Sequence, residues 1–408
     1  IYSDSDTRFD LSGTRKFDEE TGYYTKSMIS VPMVTREEKV IGVLQIVNAT
    51  DPVSGKLESF SDEDTHLLEA LAAQAAISLE NYRLIKAQQE LMDAFIKVIA
   101  GAIDAKSPYT GGHCARVPDL SVMLAEAAVK SDDEKFRNFS FNEEEWREFK
   151  IAGWLHDCGK VTTPEYVVDK DTKLATIYNR IHEIRMRFEV LRRDAEIEYL
   201  KAVNENPDQK QELEQQLKKK YDQLDNDFAF VAECNVGGEF MSDEYIDRLH
   251  RISKTTWTRH YDDRLGLSDM DRMQLADIEP ACLPVTECLL ADKAEHIIKR
   301  TAGNSPDDGI NSVMTIPEYL FNRGELYNLS TRKGTLTAED RFIINDHIVQ
   351  TIKMLKKLPF PEHLQRVTEY AGGHHEKMEG TGYPVGVSRD DLSGPARIMA
   401  VAGGYGAG

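Results

Sequence analysis

Two adjacent pairs of potential metal ligands stand out in the sequence. His156 and Asp157 lie in the segment WLHDCGK, and His374 and His375 lie in AGGHHEKMEGTGYP. Imidazole and carboxylate groups without a thiolate are ligands that suit iron, manganese or zinc in hydrolytic sites. A carboxylate can also bridge two cations through its two oxygens, so that metals about 3.5–4 Å apart share one activated water. The two pairs therefore indicate a dinuclear hydrolytic centre.

Further motifs, in a fixed order along the chain, make this region similar to a known family. The segments YTGGHCARV at 109–117, HDCGK at 156–160, GTLTAEDRFIINDHIVQTIKML at 334–355 and HHEKMEGTGYP at 374–384 together resemble the HD-GYP domain. That family is a branch of the HD phosphohydrolases, and its characterised members hydrolyse cyclic di-GMP. The resemblance implies an all-helical domain in which two divalent metal sites share one aspartate.

The resemblance also implies roles for individual side chains. It assigns one metal to His113, His156 and Asp157, and the other to Asp157, His347, His374 and His375. Asp157 and Lys160 are the expected catalytic residues, and Lys160 and Tyr383 are the expected contacts to the substrate. The expected cofactors are two divalent ions, with iron or manganese favoured and zinc as an alternative.

Some positions depart from the family pattern or leave a choice open. His182 lies in a segment that echoes the one around His347, but GTLT before His347 and KKLPFP after it favour His347 as the ligand. Tyr109 stands where three-metal members have Glu, which favours two metals. Gly403 stands where the late metal-binding Asp is expected, and the sequence ends at Gly408, before the basic segments that grip phosphate. We therefore expect either a truncated or altered sequence or a weakened enzyme.

The elements that must position these residues begin with two strands. β-Branched runs at 28–34 and 40–47 are separated by the polar turn TREEK, which predicts an antiparallel pair. Ser61 followed by Asp64 predicts the capped start of a helix. These segments resemble the last strands and closing helix of a GAF domain, which implies a partial GAF domain at 1–66.

The following segment predicts a long linker helix. From Leu68 to Ile103, apolar or small residues recur at alternating spacings of three and four, which is typical of a heptad seam. We predict a linker helix over 67–105 that forms a parallel two-helix coiled coil in a homodimer. The alternative is one long helix that packs on its own domains.

The remainder, 106–408, is predicted to be the HD-GYP domain, interrupted by an insertion at about 170–326. The charged start of the insertion predicts a helical hairpin, Ile177–Asn204 and Pro207–Phe228, with short helices after it. The expected fold class is therefore multidomain, α/β plus all-α. It combines a partial GAF domain with an antiparallel sheet, a long coiled-coil helix and an all-helical metal domain with a large helical insertion.

Composition excludes several classes of protein. With 50 Lys+Arg against 70 Asp+Glu, the formal net charge of −20 argues against a protein that coats nucleic-acid duplexes. Five cysteines without paired short spacings argue against a disulfide framework or a four-thiolate zinc site. No apolar run is long enough for a membrane span, and the N-terminal residues do not resemble a signal peptide, so we expect a cytoplasmic protein.

The leading hypothesis is a metal-dependent phosphodiesterase that hydrolyses cyclic di-GMP to linear pGpG, GMP or both, under the control of the GAF domain. One alternative is a catalytically weakened module that binds metal and cyclic dinucleotide and signals to a protein partner through the charged insertion helices. Another is a phosphodiesterase for a different cyclic dinucleotide, cyclic GMP-AMP. The GAF ligand is left open, and we predict a dimerisation and relay role for this domain.

Overall fold

The protein is mostly helical, with small antiparallel strand pairs. The structure is a computed structural model and describes residues 10, 12–106, 112–301 and 310–406. Within those residues, the strands form four separate two-stranded antiparallel sheets. This arrangement confirms the predicted fold class, with small antiparallel sheets near the N-terminus and a mostly helical remainder.

The first of two compact units covers Ile1–Phe95. Its described elements are α1 (Ser12–Thr21), β1 (Met28–Val34), β2 (Val40–Val47), β3 (Ala49–Thr50), β4 (Leu57–Glu58) and the first part of α2 (Asp62–Asp104). Strands β1 and β2 pair antiparallel, as their β-branched residues predict. Val31 of β1 packs with Leu68 and Ala72 of α2 in a small core.

Helix α2 is one continuous helix of 43 residues. It begins as predicted, because the Ser61 hydroxyl accepts from the Asp64 N–H at 3.1 Å and the Asp64 carboxylate accepts from the Ser61 N–H at 2.8 Å. Three residues of the predicted seam, Leu68, Ile96 and Ile103, are buried within the single chain. The exposed apolar stripe includes four seam residues, Leu71, Tyr82, Ile85 and Ile99, together with Leu67 and Phe95. Among the described helices, α2 included, none is both long enough and apolar enough to cross a membrane.

The second compact unit covers Ile96–Gly408 and contains most of the helices. Its elements outside the predicted insertion are the end of α2, α3 (His113–Val129), α4 (Glu143–Leu155), a 3₁₀ helix (Cys158–Thr162), α5 (Glu165–Val168), and, later in the chain, α11 (Ala338–Asn345), α12 (His347–Lys356), α13 (Val367–Gly372) and α14 (Gly394–Gly406). Helix α3 packs on α4 and α14, and α13 packs on α4 and α12. Helices from both ends of this unit therefore meet in one bundle.

The segment predicted as an insertion has a hydrophobic core of its own. Its elements are α6 (Ile181–Glu205), α7 (Lys210–Val236), α8 (Asp243–Ser253), β5 (Thr256–Arg259), α9 (Asp269–Gln274), β6 (Val285–Cys288), β7 (Ile297–Lys299), β8 (Tyr319–Asn322) and α10 (Glu325–Leu329). Side chains from both ends of the segment, Leu174 and Leu329, share this core with Ile184, Val231 and Leu249.

The predicted helical hairpin is present as α6 and α7, joined by a 3₁₀ turn at Pro207–Gln209. The second helix extends to Val236, eight residues past the predicted end at Phe228. The prediction of helices alone for the rest of the segment was incomplete, because β5 pairs with β6 and β7 with β8. These strands have three or four residues each, too few for a reliable period in the sequence.

Candidate metal centre

The six predicted metal ligands all lie at the ends of helices. His113 begins α3, His156 and Asp157 directly follow α4, His347 begins α12, and His374 and His375 follow α13. The structure brings them together in two groups whose ligand atoms lie within 4.8 Å of one another: His113, His156 and Asp157, and His347, His374 and His375. Each group could hold a divalent metal ion, and imidazole with carboxylate fits iron, manganese or zinc.

One carboxylate oxygen of Asp157 faces the first group. Its Oδ2 lies 3.1 Å from Nε2 of His113 and 3.1 Å from Nε2 of His156. The ammonium of Lys160 donates to the same oxygen at 2.8 Å. Asp157 is 1% exposed, so these three groups converge on an oxygen that is shielded from water.

The other oxygen of Asp157 faces the second group. Its Oδ1 lies 3.2 Å from Nε2 of His347 and 3.6 Å from Nε2 of His374. In turn, Nε2 of His375 lies 3.3 Å from Nε2 of His347. Oδ1 is buried and makes no hydrogen bond within the described part of the chain. A buried carboxylate oxygen in that state is costly unless a cation binds it, so the residues present fit a metal here.

Backbone carbonyls orient three of the imidazoles. In His156, His347 and His374, Nδ1 lies 2.7, 2.5 and 2.7 Å from the carbonyl oxygen three residues earlier in the chain. A carbonyl only accepts a hydrogen bond, so Nδ1 carries a proton, and in the neutral imidazole Nε2 keeps its lone pair. Each lone pair is then available to a metal, as in other proteins that orient their ligands through a second hydrogen bond.

The protonation states also suit metal binding. Burial opposes the ionisation of Asp157, but the charge of His156 and hydrogen bonds from the neighbouring imidazoles outweigh it and hold the carboxyl pKa well below its usual range. Burial lowers the pKa of His374 to about 4. Burial and then the charges of His374 and His347 lower the pKa of His375. At neutral pH, the carboxylate is ionised and these imidazoles are neutral, which are the forms that bind cations.

Two cysteines lie beside the centre but are poor ligands. Burial, and then the charge of Asp157, raises the pKa of the Cys114 thiol. Burial raises the pKa of Cys158 to about 11. Neither thiol belongs to the two groups of close ligand atoms, so the ligand set within the described residues is nitrogen and oxygen.

The 3₁₀ helix after the His-Asp pair packs directly against α12. The N–H of Gly159 donates to the Thr351 hydroxyl at 2.9 Å, and that hydroxyl donates to the carbonyl of His156 at 3.2 Å. A side chain at Gly159 would overlap the carbonyl oxygen of His347, so this close approach requires glycine. Sequence analysis missed Thr351, although its position one turn after His347 was a usable signal.

Tyr383 lies against the second group of ligands. Its ring stacks on His375 with centroids 4.7 Å apart and an interplanar angle of 15°. Burial, and then the charge of Asp157, raises the pKa of the Tyr383 hydroxyl to about 12. The hydroxyl is therefore neutral at physiological pH and can donate a hydrogen bond.

Glu376 holds the loop that follows Tyr383. The carboxylate is 5% exposed and accepts hydrogen bonds of 2.8–3.2 Å from three consecutive backbone N–H groups, those of Val385, Gly386 and Val387. Bonds to an ionised acceptor are stronger than neutral ones, so this carboxylate fixes the loop beside the centre. Sequence analysis did not single out Glu376, although it lies between the His-His pair and the GYP segment.

Three further positions bear on the predictions. A Cβ atom added at Gly403 would lie 3.7 Å from Cδ2 of His374, so position 403 adjoins the centre. His182 is exposed on α6, where a guanidinium nitrogen of Arg185 lies 2.7 Å from its Nδ1, and it does not join either group. Tyr109 lies outside the described residues.

Family comparisons agree with the resemblance. A family model described as HD domain matches residues 273–407, and one described as GAF domain matches residues 3–79. The HD match includes the later ligands His347, His374 and His375. The predicted combination of an N-terminal GAF domain with a C-terminal HD domain is confirmed.

Three curated proteins of Vibrio cholerae serotype O1 are similar to parts of the chain. A "Probable cyclic di-GMP phosphodiesterase" is 54% identical over 83 residues, 19% of this chain and 19% of that protein. A "3'3'-cGAMP-specific phosphodiesterase 3" is 38% identical over 72 residues, 17% of this chain and 15% of that protein. A "3'3'-cGAMP-specific phosphodiesterase 2" is 29% identical over 117 residues, 29% of this chain and 20% of that protein. The chain thus spans no more than a fifth of each relative.

Proposed function

We propose that this chain, which contains a GAF domain and an HD domain, is a metal-dependent phosphodiesterase that hydrolyses cyclic di-GMP. The observation that carries the proposal is the position of Asp157, whose two oxygens face two separate histidine groups. A shared carboxylate of this kind suits two-metal hydrolysis of a phosphodiester. The relative named as a probable cyclic di-GMP phosphodiesterase supports the substrate.

The two histidine groups would hold two divalent ions, which, when bound, act as Lewis acids and lower the pKa of water. The chain's own residues supply binding and orientation. The Lys160 side chain is a quarter exposed, and its ammonium lies 2.8 Å from Asp157, so it can offset charge on the phosphoryl oxygens of a bound substrate. The neutral hydroxyl of Tyr383 can donate a hydrogen bond to the substrate from the other side of the centre.

A second candidate substrate is 3'3'-cyclic GMP-AMP, because two of the relatives carry that name. The two cyclic dinucleotides present the same phosphodiester linkage and differ in one base. The metal centre would therefore treat them alike, and contacts to the base would set the preference.

The test is a parallel incubation of both cyclic dinucleotides with protein loaded with manganese, iron or zinc, with chromatographic analysis of products. We expect linear pGpG, GMP or both from cyclic di-GMP. His156→Ala and Asp157→Ala should lose both metal and activity, whereas His182→Ala, at an exposed histidine outside the centre, should retain both. Absence of product from either substrate with all three metals would refute the enzymatic proposal. Faster turnover of cyclic GMP-AMP than of cyclic di-GMP would make cyclic GMP-AMP the proposed substrate instead.

Gly403 favours an alternative in which the protein binds metal and cyclic dinucleotide without turning it over. Position 403 adjoins His374, and glycine supplies no carboxylate there. In either case, metal-free protein should bind the anionic dinucleotide poorly, because the formal net charge is −20 and the metals supply the local positive charge. Binding by calorimetry without product would favour this alternative over the enzyme.

For the remainder of the chain we propose that the GAF domain regulates the HD domain through helix α2. We propose a partial GAF domain at 1–66, a linker at 67–105 and an HD-GYP domain from 106, with an insertion at about 170–326. The exposed apolar stripe of α2 supports a parallel homodimer, because a stripe along a helix is stable in water when a second helix covers it.

Sedimentation of the wild-type protein and of a Leu71→Glu, Ile85→Glu variant tests the homodimer. Both side chains are more than half exposed in the single chain, at 52% and 57%, so the substitutions leave its core intact. We expect a dimer for the wild type and a monomer for the variant. A wild-type monomer at micromolar concentration would refute this part of the proposal.

A further inference from the structure

We propose that Asp104 and Lys106, at the carboxyl end of helix α2, are positioning residues for the metal centre. Asp104 is the last residue of α2, and Lys106 lies two residues beyond it. Asp104 binds the backbone of the segment that begins with His113, and Lys106 binds the backbone of the segment that follows Asp157. The inference rests on the proposed function and identifies the route by which the linker helix acts on the centre.

Lys106 binds the 3₁₀ helix that follows Asp157. Its ammonium donates to the carbonyl of Lys160 at 3.1 Å, to that of Val161 at 2.8 Å and to that of Thr163. An ammonium has three N–H donors, so the three carbonyls use all of them. The carbonyl of Lys160 also accepts from the N–H of Thr163, and a cation beside carbonyls at the end of a helix is favourable because they carry partial negative charge. Lys106 therefore fixes the backbone of the segment that presents Lys160.

Asp104 binds the start of α3. Both carboxylate oxygens lie 3.1 Å from the backbone nitrogen of Cys114, the residue after His113. The first N–H groups of a helix need an acceptor from outside it, and Gly112 at the N-cap has no side chain to provide one. Asp104 takes the place of that cap, and its negative charge suits the positive end of the helix. It thereby holds the backbone that presents His113.

The two segments that Asp104 and Lys106 hold each present a side chain to the same atom of the centre. His113 and Lys160 both approach Oδ2 of Asp157, at 3.1 and 2.8 Å. Metal binding tolerates errors of only about 0.2 Å in ligand distances, so a small displacement of either backbone segment changes the site. Because Asp104 and Lys106 lie at the end of one continuous helix, a rotation or shift of that end displaces both segments together.

The experiment compares Asp104→Asn and Lys106→Met with the conservative Lys106→Arg and with a matched control, Lys86→Met, at an exposed lysine of the same helix. Metal-free proteins are titrated with Mn²⁺, and free Mn²⁺ is counted by electron paramagnetic resonance. Turnover of cyclic di-GMP and thermal unfolding of the metal-free proteins are measured in parallel.

We expect Asp104→Asn and Lys106→Met to weaken Mn²⁺ binding about tenfold and to lower kcat about tenfold with KM nearly unchanged, as for other residues that orient metal ligands. Lys106→Arg, which keeps charge and donors, should restore most of the loss, and Lys86→Met should match the wild type. A residue with only a structural role would change the unfolding temperature and leave Mn²⁺ affinity of the folded protein unaltered.

Mn²⁺ affinities within about twofold of wild type in both Asp104→Asn and Lys106→Met would overturn the inference. If Lys106→Met does not fold, Asp104→Asn alone decides the inference by the same criterion. If the wild-type protein hydrolyses no cyclic dinucleotide, the proposed function fails, whereas the Mn²⁺ titrations still test the positioning role. The two failures are therefore distinguishable.

Discussion

Substitution by Met at each of two buried lysines, three residues apart, should change the stability of the protein in opposite directions. Lys173 is 1% exposed, and its ammonium donates to the carbonyl of Leu329 at 2.9 Å. Burial lowers the pKa of Lys173 to about 8. Lys170 instead forms an ion pair with Asp340 at 2.7 Å. We predict that Lys173→Met stabilises the protein at pH 7 and that Lys170→Met destabilises it.

The expected magnitudes follow from these contacts. A lysine pKa lowered from 10.5 to about 8 corresponds to about 3 kcal/mol of unfavourable burial at pH 7. Lys173→Met removes this cost but leaves the Leu329 carbonyl without its donor, which costs about 1–2 kcal/mol. The net gain is about 1–2 kcal/mol. Lys170→Met leaves a buried Asp340 carboxylate without its cation, at a cost of about 3–5 kcal/mol.

The pH dependence of the free energy of unfolding tests the direction of the Lys173→Met effect in a second way. Between pH 8 and 10.5 the unfolded chain binds more protons at Lys173 than the folded protein, so wild-type stability gains from rising pH in this window. The advantage of Lys173→Met is therefore complete below pH 8 and is lost as pH approaches 10.5. Urea unfolding of metal-free protein at pH 7, 8 and 9.5 measures both effects. Equal destabilisation by Lys173→Met and Lys170→Met at pH 7 would refute this reasoning.

Three further predictions concern the centre. Asp157→Asn should bind fewer than two metals and lower turnover by about 10³-fold or more, since the bridging charge is lost; retention of two metals would contradict the assignment. Gly403→Asp should tighten Mn²⁺ binding about tenfold because a carboxylate then adjoins His374, and an unchanged titration would remove position 403 from the centre. Glu376→Gln should raise KM about tenfold at unchanged metal content, because the loop after Tyr383 loses the carboxylate that accepts its hydrogen bonds. Steady-state kinetics and metal analysis measure both quantities, and loss of metal with KM unchanged would contradict this role for Glu376.

The candidate ligand groups could be predicted because their residues occur in short contiguous motifs. His156 precedes Asp157 directly, and His374 precedes His375, so each pair is visible without knowledge of the fold. Choosing His347 over His182 needed the surrounding segment as well, and the structure places His347 in the cluster and His182 on an exposed helix face. Their roles as metal ligands remain predictions.

The residues that sequence analysis missed act through contacts between distant segments. Thr351 bonds Gly159, and Lys106 bonds the carbonyl of Lys160, pairs that no local pattern connects. The exposed stripe of α2 also coincides only in part with the predicted seam, because Leu68, Ile96 and Ile103 are buried. A periodicity of three and four residues shows which positions share a face, but Leu68 shows that a member of that face can be buried in its own domain.

The contact between Gly159 and Thr351 has a consequence for biosynthesis. The two residues are 192 positions apart, so at about 5–20 residues per second a ribosome needs about 10–40 s to make the second after the first. During that interval His113, His156 and Asp157 already exist, and the hydrophobic core of the intervening segment has time to form. The three residues of the first group are therefore in place, in synthesis, well before those of the second group, and a centre that needs both groups would be completed only after the intervening segment has been made.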